Sequence, residues 1–284
     1  MPSVLRYLLP WDFSPTVLIL CASTGVLYVR GLVARRRDHV RVGCAQPLAF
    51  FLGLALLYAV LQTYVDYLSQ HMFWVHRLQH LVLHHIAPVL LVLAAPAPVL
   101  WQGLPRRWRP AARRIGASPV LARVVAIVQH PFIACLLFVG LIYFWLTPAI
   151  HFGAMLDARR YLLMNWSMAV DGVLFWWLML SPKQAQGAAA LGYGTRLLVL
   201  CLAALLQILL GAYITLHKSV LFDVYGICGR AWNESPLTDQ ELGGLLTWIP
   251  AAMMSGVGVL IVLRHVLNEG RSEPVGLPAG TVSR

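Results

Sequence analysis

An all-α fold, a polytopic membrane bundle of seven transmembrane helices, follows from three observations. The 284-residue chain is 59% hydrophobic and only 12% charged, with a positive mean hydropathy, a balance far from that of soluble domains. Its apolar residues gather in seven segments, residues 16–32, 47–67, 73–101, 120–145, 161–180, 196–217 and 243–263, each near the roughly 20 residues a bilayer crossing needs. The basic residues fall mainly in the short connections between them. One membrane domain over residues 1–265 is therefore expected, with 266–284 a cytoplasmic disordered tail marked by Gly270, Pro274, Gly276, Pro278 and Gly280.

The first segment is preceded by a single basic residue, Arg6, with no convincing small-residue cleavage site after it, so it reads as a retained span. Arg30, Arg35, Arg36, Arg37 and Arg41 follow it, and Arg106, Arg107, Arg109, Arg113 and Arg114 follow the third segment. The positive-inside rule makes both loops cytoplasmic, which puts the N-terminus outside and the C-terminus inside. The net charge of +11 is thus orientation information and excludes no more than it explains: nucleic acid is not an expected partner, the lipid bilayer is. The proline- and arginine-rich stretch 106–119 reads as a solvated loop held at anionic headgroups.

The third segment is over-long, and Pro88, Pro96 and Pro98 are expected to kink it or end it, freeing carbonyls that need partners inside the bundle. The fourth carries His130-Pro131 about halfway across, and the fifth carries Asp171 beside Gly172 near its middle. Aromatic runs such as Phe175-Trp176-Trp177 read as interface belts and bundle packing. The seventh opens on Thr238-Asp239-Gln240-Glu241, the spacing of a capping box between Thr238 and Glu241. Gly243 and Gly244 then allow close helix approach, Trp248 packs inside or at the interface, and Pro250 bends the helix. Asp239 and Gln240 have no local explanation. Cys21, Cys44, Cys135, Cys201 and Cys228 form no CxxC and read as small hydrophobes.

Chemistry concentrates at the start of the third segment. If it is one helix, Met72, His76, His80 and His84 form a gently drifting stripe, because residues four apart lie about 40° apart around the axis and about 6 Å along it. His71 and His85 fall off the stripe. Neighbouring imidazoles can grip one ion, whereas His76 and His84 are about 12 Å apart and cannot share one unaided. Thioether with imidazole suits cuprous copper. His130 lies at a depth comparable with His84, so these two can meet if their helices are neighbours. Asp171 pairs with Arg77, Arg123 or a histidine, or joins the site, and Asp66, a short turn from His71, can supply an oxygen ligand. A zincin site is excluded because Arg77, not glutamate, follows His76.

Three motifs in the same order carry a family resemblance: His76-x2-Gln79-His80-Leu81-x6-Pro88, Leu174-Phe175-Trp176-Trp177, and Asp239-Gln240-Glu241-Leu242-Gly243-Gly244-x3-Trp248-Ile249-Pro250. Over roughly residues 46–263 the chain resembles the CtaG-type multispanning cytochrome c oxidase assembly proteins, not the single-span copper chaperone that shares the name. The resemblance implies a seven-span bacterial inner-membrane protein that helps mature a haem-copper oxidase, with an oxidase subunit as partner and copper supply as its usual proposed task. It places the family's paired histidines on His76 and His80 and its acidic-glutamine pair on Asp239 and Gln240. Two family features are absent: Leu146-Thr147-Pro148 stands where a histidine often precedes the proline, and Met164-Asn165 where a Glu-His pair falls. His151 and His130 are candidate substitutes.

The expectation is a copper-holding assembly factor that catalyses no covalent reaction, using His76 and His80 with help from Met72, His84 or His130. A b-type cytochrome with haem between His84 or His80 and His130 is the rival, and a metal-free scaffold the third reading.

Overall fold

The computed structural model describes residues 9–182 and 191–272, with side chains as far as 269. Every regular element among them is helical. In chain order these are α1 (Pro15–Arg37), α2 (Ala45–Gln62), α3 (Tyr64–His71), α4 (Phe73–Leu81), a π-helical turn (Val82–Ile86), α5 (Ala87–Leu93), α6 (Ala97–Gly103), a 3-10 turn (Arg106–Trp108), α7 (Arg109–Gly116), α8 (Pro119–Val128), α9 (Pro131–Trp145), α10 (Pro148–Met155), α11 (Ala158–Leu180), α12 (Tyr193–Leu216), α13 (Val224–Cys228) and α14 (Pro236–Ser272). Among the described residues five helices are long and apolar enough to cross a membrane unbroken: α1, α2, α11, α12 and α14. Two more spans result if each bent pair counts as one: the run Phe73–Leu93 with α6, bent by 72°, and α8 with α9, bent by 70°.

Both bends have a covalent cause. The third span stops where Ala95 takes a left-handed φ of 44° and Pro96 begins a new turn, since proline cannot continue the hydrogen-bond ladder. Its short arm α6 then lies along α1, close enough that a Cβ on Gly31 would run into the Val99 carbonyl. The fourth span breaks at His130, which precedes Pro131 and is held extended, φ −66° and ψ 129°. The expected straight crossing is therefore replaced by a bend with His130 at its corner. Residues 106–119, expected as a loop, form a 3-10 turn and α7, with no buried side chain.

The last span differs at both ends from expectation. Ser235, not Thr238, caps it: its hydroxyl accepts from the Thr238 amide at 3.0 Å and its carbonyl accepts from the Asp239 amide at 3.0 Å. Thr238 and Glu241 already lie inside the helix, so the capping box does not form. At the other end α14 runs on to Ser272, beyond the expected boundary at 265, while 273–284 lie outside the described residues. Gly243 and Gly244 do bring helices together: a Cβ on Gly243 would collide with the Phe73 ring, and one on Gly244 with Thr215. Trp248 lies over Gly211 in the extensive contact between α12 and α14. The cysteines are free, three of them at least partly buried.

Backbone groups freed inside the bundle find side-chain partners. Pro88 has no amide to offer the His84 carbonyl four residues earlier, and the Trp176 indole N–H donates to that carbonyl at 3.0 Å. Gly172 makes the approach possible, because a Cβ there would lie 2.6 Å from the same oxygen. Trp176 thus does more than the packing expected of it. Arg196 closes the end of α11, its guanidinium donating to the Met179 and Ser181 carbonyls at 3.1 and 2.6 Å.

Replacing Trp176 by phenylalanine keeps an aromatic ring but leaves the His84 carbonyl unpaired in a dry interior. We expect a loss of about 1–3 kcal/mol, read as a lower melting temperature of protein in lipid nanodiscs. An unchanged melting temperature would show that the carbonyl does not depend on the indole.

Candidate functional site

The site is built around α4, and its first residue is fixed from far away in sequence. Met72 is extended, φ −142° and ψ 127°, so the helix containing the histidines starts at Phe73. The two opening amides, Phe73 and Trp74, donate to the Asp239 carboxylate at 3.1 and 2.8 Å. A carboxylate at a helix N-terminus satisfies free N–H groups and complements the helix dipole. Arg230 donates to the same carboxylate. Gln240, next in sequence, accepts from the Leu221 amide at 2.6 Å and donates to the Ser219 carbonyl at 3.1 Å. The acidic-glutamine pair therefore secures α4 and the segment after α12.

From that start, His76 and His80 are buried side by side with ring centroids 4.4 Å apart. His151 on α10 approaches from another helix, 5.1 Å from His76. Neither ring nitrogen of His76 makes a hydrogen bond. The His80 Nε2 lies 3.1 Å from the Asn165 Oδ1 and its Nδ1 has no partner. With an oxygen acceptor facing it, Nε2 carries the proton and Nδ1 keeps a bare lone pair, as a metal-ligating imidazole would. His151 donates from Nδ1 to the Trp145 carbonyl at 3.0 Å, so its Nε2 accepts from the Tyr225 hydroxyl at 2.9 Å. Burial holds His151 down to about 3, so it is neutral at any physiological pH.

The remaining expected residues lie around or away from this group. The π-turn carries His84 off the α-helical stripe: its Nε2 meets the Asp171 carboxylate at 3.0 Å and its ring stacks on Phe138 at 4.0 Å. Its Nδ1 is bare, like that of His85. Asp171 is accordingly the carboxylate behind an imidazole. Met72 is turned into an apolar cluster with Leu68 and Val75 and does not head the stripe, because its extended backbone breaks the helical register. His71 bonds the Tyr67 carbonyl at 2.7 Å and stacks on the Tyr67 ring. His130 is exposed at its bend, and among the described residues no bond or ring contact joins it to His84 or His80. The arrangement needed for haem between those residues is not formed.

Asp66 organises a second polar layer on α3, beyond the end of the second span, instead of joining His71. Its carboxylate accepts from Gln79 and Gln70, each at 2.9 Å, and from the Tyr161 hydroxyl at 2.8 Å. Burial nevertheless pushes its pKa up to about 6. Asp66, Tyr161 and Asn165 line a cavity of about 460 Å³ together with Asp12 and Gln70. Asn165 thus stands between that cavity and His80. Sequence reasoning missed Tyr161 and Tyr225, whose types are ordinary in membrane bundles, placed Gln79 and Asn165 only as motif positions, and weighed Arg77 only as a partner for Asp171, which pairs with His84 instead. Arg77 did carry a signal, being an arginine well inside an apolar segment.

Among the described residues no three His, Cys, Asp or Glu side chains already converge on a point that would hold a metal ion. The donor chemistry fits one all the same: a buried imidazole with both nitrogens unpaired, beside a second with a bare Nδ1, are polar atoms that need a partner.

The family model described as cytochrome c oxidase caa3 assembly factor matches residues 26–269. The chain belongs to that family. Similar curated proteins are an uncharacterized protein of Mycobacterium bovis, 28% identical over 264 residues, and one of Mycobacterium leprae, 26% identical over 260. Each alignment covers 87% of this chain and 38% of the mycobacterial protein, so the chain spans under two-fifths of those relatives. No solved structure matches.

Because the Asp66 pKa is raised from 3.8 to about 6, its contribution to stability is greatest below its unfolded value and is lost as pH rises through about 6. Wild-type protein in nanodiscs should lose on the order of 3 kcal/mol relative to Asp66→Asn between pH 4 and pH 7.5. Parallel pH–stability curves for the two proteins would contradict this.

Proposed function

We propose that this member of the caa3 assembly-factor family helps mature a haem-copper oxidase in a bacterial inner membrane by holding copper on His76 and His80 and passing it to an oxidase subunit. The observation that carries the proposal is the pair of adjoining buried imidazoles offering unpaired nitrogens, two on His76 and Nδ1 on His80. Each role follows from the surroundings. His76, free at both nitrogens, is the mobile donor. His80 is oriented by Asn165, which fixes its tautomer. His151 is the reserve ligand, its Nε2 covered by the Tyr225 hydroxyl and uncovered if that ring turns.

Copper is cargo in this scheme, and no covalent bond of a substrate is made or broken. Transfer is ligand exchange: a donor from the incoming oxidase subunit replaces an imidazole while the second still holds the ion, so the ion is never bare in the low-dielectric interior. The orientation read from the arginine loops, N-terminus outside and C-terminus inside, puts the start of α4 and the cavity beside Asp66 toward the outer face.

The absence, among the described residues, of a ready-made group of three ligands favours one other reading, a scaffold that steadies an oxidase subunit without metal. One experiment separates them. Copper content of the purified wild type, reconstituted anaerobically, should approach one ion per chain, and His76→Ala with His80→Ala should remove it. The same double variant should abolish assembly of active oxidase in cells. Negligible copper in both proteins, with oxidase activity retained by the variant, would establish the scaffold and remove the metal.

A further inference from the structure

Arg77 follows His76 on α4, yet it is buried beside the imidazoles. Its Nε donates to the Thr247 hydroxyl at 2.9 Å, and that hydroxyl donates on to the Gly243 carbonyl. Among the described residues no carboxylate lies within ion-pair distance of it. The contrast with Arg196 is direct, since that guanidinium donates to the Met179 and Ser181 carbonyls at the end of α11 and to the Leu191 carbonyl before α12. Arg77 lines a cavity of about 10 Å³ with His80, His84, His85 and Thr247, room for about one water molecule. The guanidinium thus shares a cavity with three of the imidazoles, and His76 precedes it in the sequence.

A fixed cation among imidazole donors acts on any ion they hold. Coulomb repulsion is proportional to the charge of the incoming ion and is weakly screened in a dry interior. Of the carboxylates near the group, Asp171 is set back behind His84 and Asp66 behind Tyr161, and the charge of Asp239 is taken up by Arg230 and two backbone amides. The donor count points the same way. Two adjoining imidazoles with bare nitrogens satisfy a soft monovalent ion, whereas zinc takes four ligands.

We infer that Arg77 makes the His76–His80 site selective for monovalent soft cations, cuprous copper and its analogue silver(I), against cupric copper and zinc. The inference rests on the metal reading given above and assigns the ion's charge within it. It also gives the neighbouring residues a purpose. Thr247 holds the guanidinium at its station, and Gly243 admits the Phe73 ring that packs over the same turn.

Binding to the full-length protein in nanodiscs, by competition with chelators of known affinity, tests this with silver(I) and zinc(II). Wild type should bind silver at least about a hundredfold more tightly than zinc, a gap of about 2.7 kcal/mol. In Arg77→Gln the zinc affinity should rise by roughly the square of the factor by which silver affinity rises, since the removed repulsion scales with charge. Arg77→Lys, which keeps the charge, should retain the wild-type preference. Zinc binding within about tenfold of silver in the wild type would overturn the inference while leaving the metal site standing. Binding of neither ion would overturn the metal reading and the inference together. The absence of a silver preference in the wild type overturns the inference even if Arg77→Gln fails to fold.

Discussion

The carboxylate of Asp239 on the opening amides of α4 is the contact on which the site depends. It joins residues 166 and 165 positions apart in sequence and sets where the histidine-bearing helix begins. The extended Met72 breaks the helical path from α3, so the direction of the α4 side chains is set where the helix restarts at Phe73. With the start fixed at Phe73, His76 and His80 face inward together and Arg77 reaches Thr247 on α14. The same helix that caps α4 therefore also anchors the one charged side chain among its imidazoles.

A second constraint acts at the far end of α4. The π-turn and Pro88 together leave the His84 carbonyl without a helical partner, and α11 supplies one in Trp176 while Gly172 makes room. Short π-helical insertions concentrate at functional sites because they re-aim side chains at a cost in regularity. Here the insertion turns His84 away from His80 and toward Asp171. The imidazoles consequently divide into a cluster of His76, His80 and His151 and a carboxylate-backed His84, with Arg77 beside both.

Much of the fold was legible because its causes are local. Segment length and hydropathy gave the spans, Pro96 marked the bend of the third while the bend at Pro131 was not anticipated, and the paired glycines marked close approach of α14 to its neighbours. The alternation of the site was not legible for equally physical reasons. The single stripe from Met72 to His84 assumed uninterrupted α-helical geometry, and an extended Met72 and a π-turn break it at both ends. Partners such as Asn165, Tyr161 and Tyr225 are ordinary residues made special by helix packing, which leaves no trace in local spacing. Ser235 and Thr238 compete for the same cap, and the proline at position 236 settles it, since Pro is favoured in the first turn and Ser235 is thereby placed just before it.

The chain belongs to a family of oxidase assembly factors, and its interior carries buried polar side chains along the bundle and not only at one end. Most of its buried polar side chains are explained by one another: Asp66 by Gln79 and Tyr161, Asp171 by His84, Asp239 by two amides and Arg230. The nitrogens of His76 and Nδ1 of His80 have no protein partner, like Nδ1 of His84 and of His85, and copper is the partner proposed for the adjoining pair His76 and His80. The copper K-edge X-ray absorption spectrum of the cuprous-loaded wild-type protein tests this most directly. The expected result is a first shell of two or three nitrogens at about 2 Å with the outer-shell scattering of imidazole rings. A first shell dominated by sulfur, or one without imidazole scattering, would contradict it.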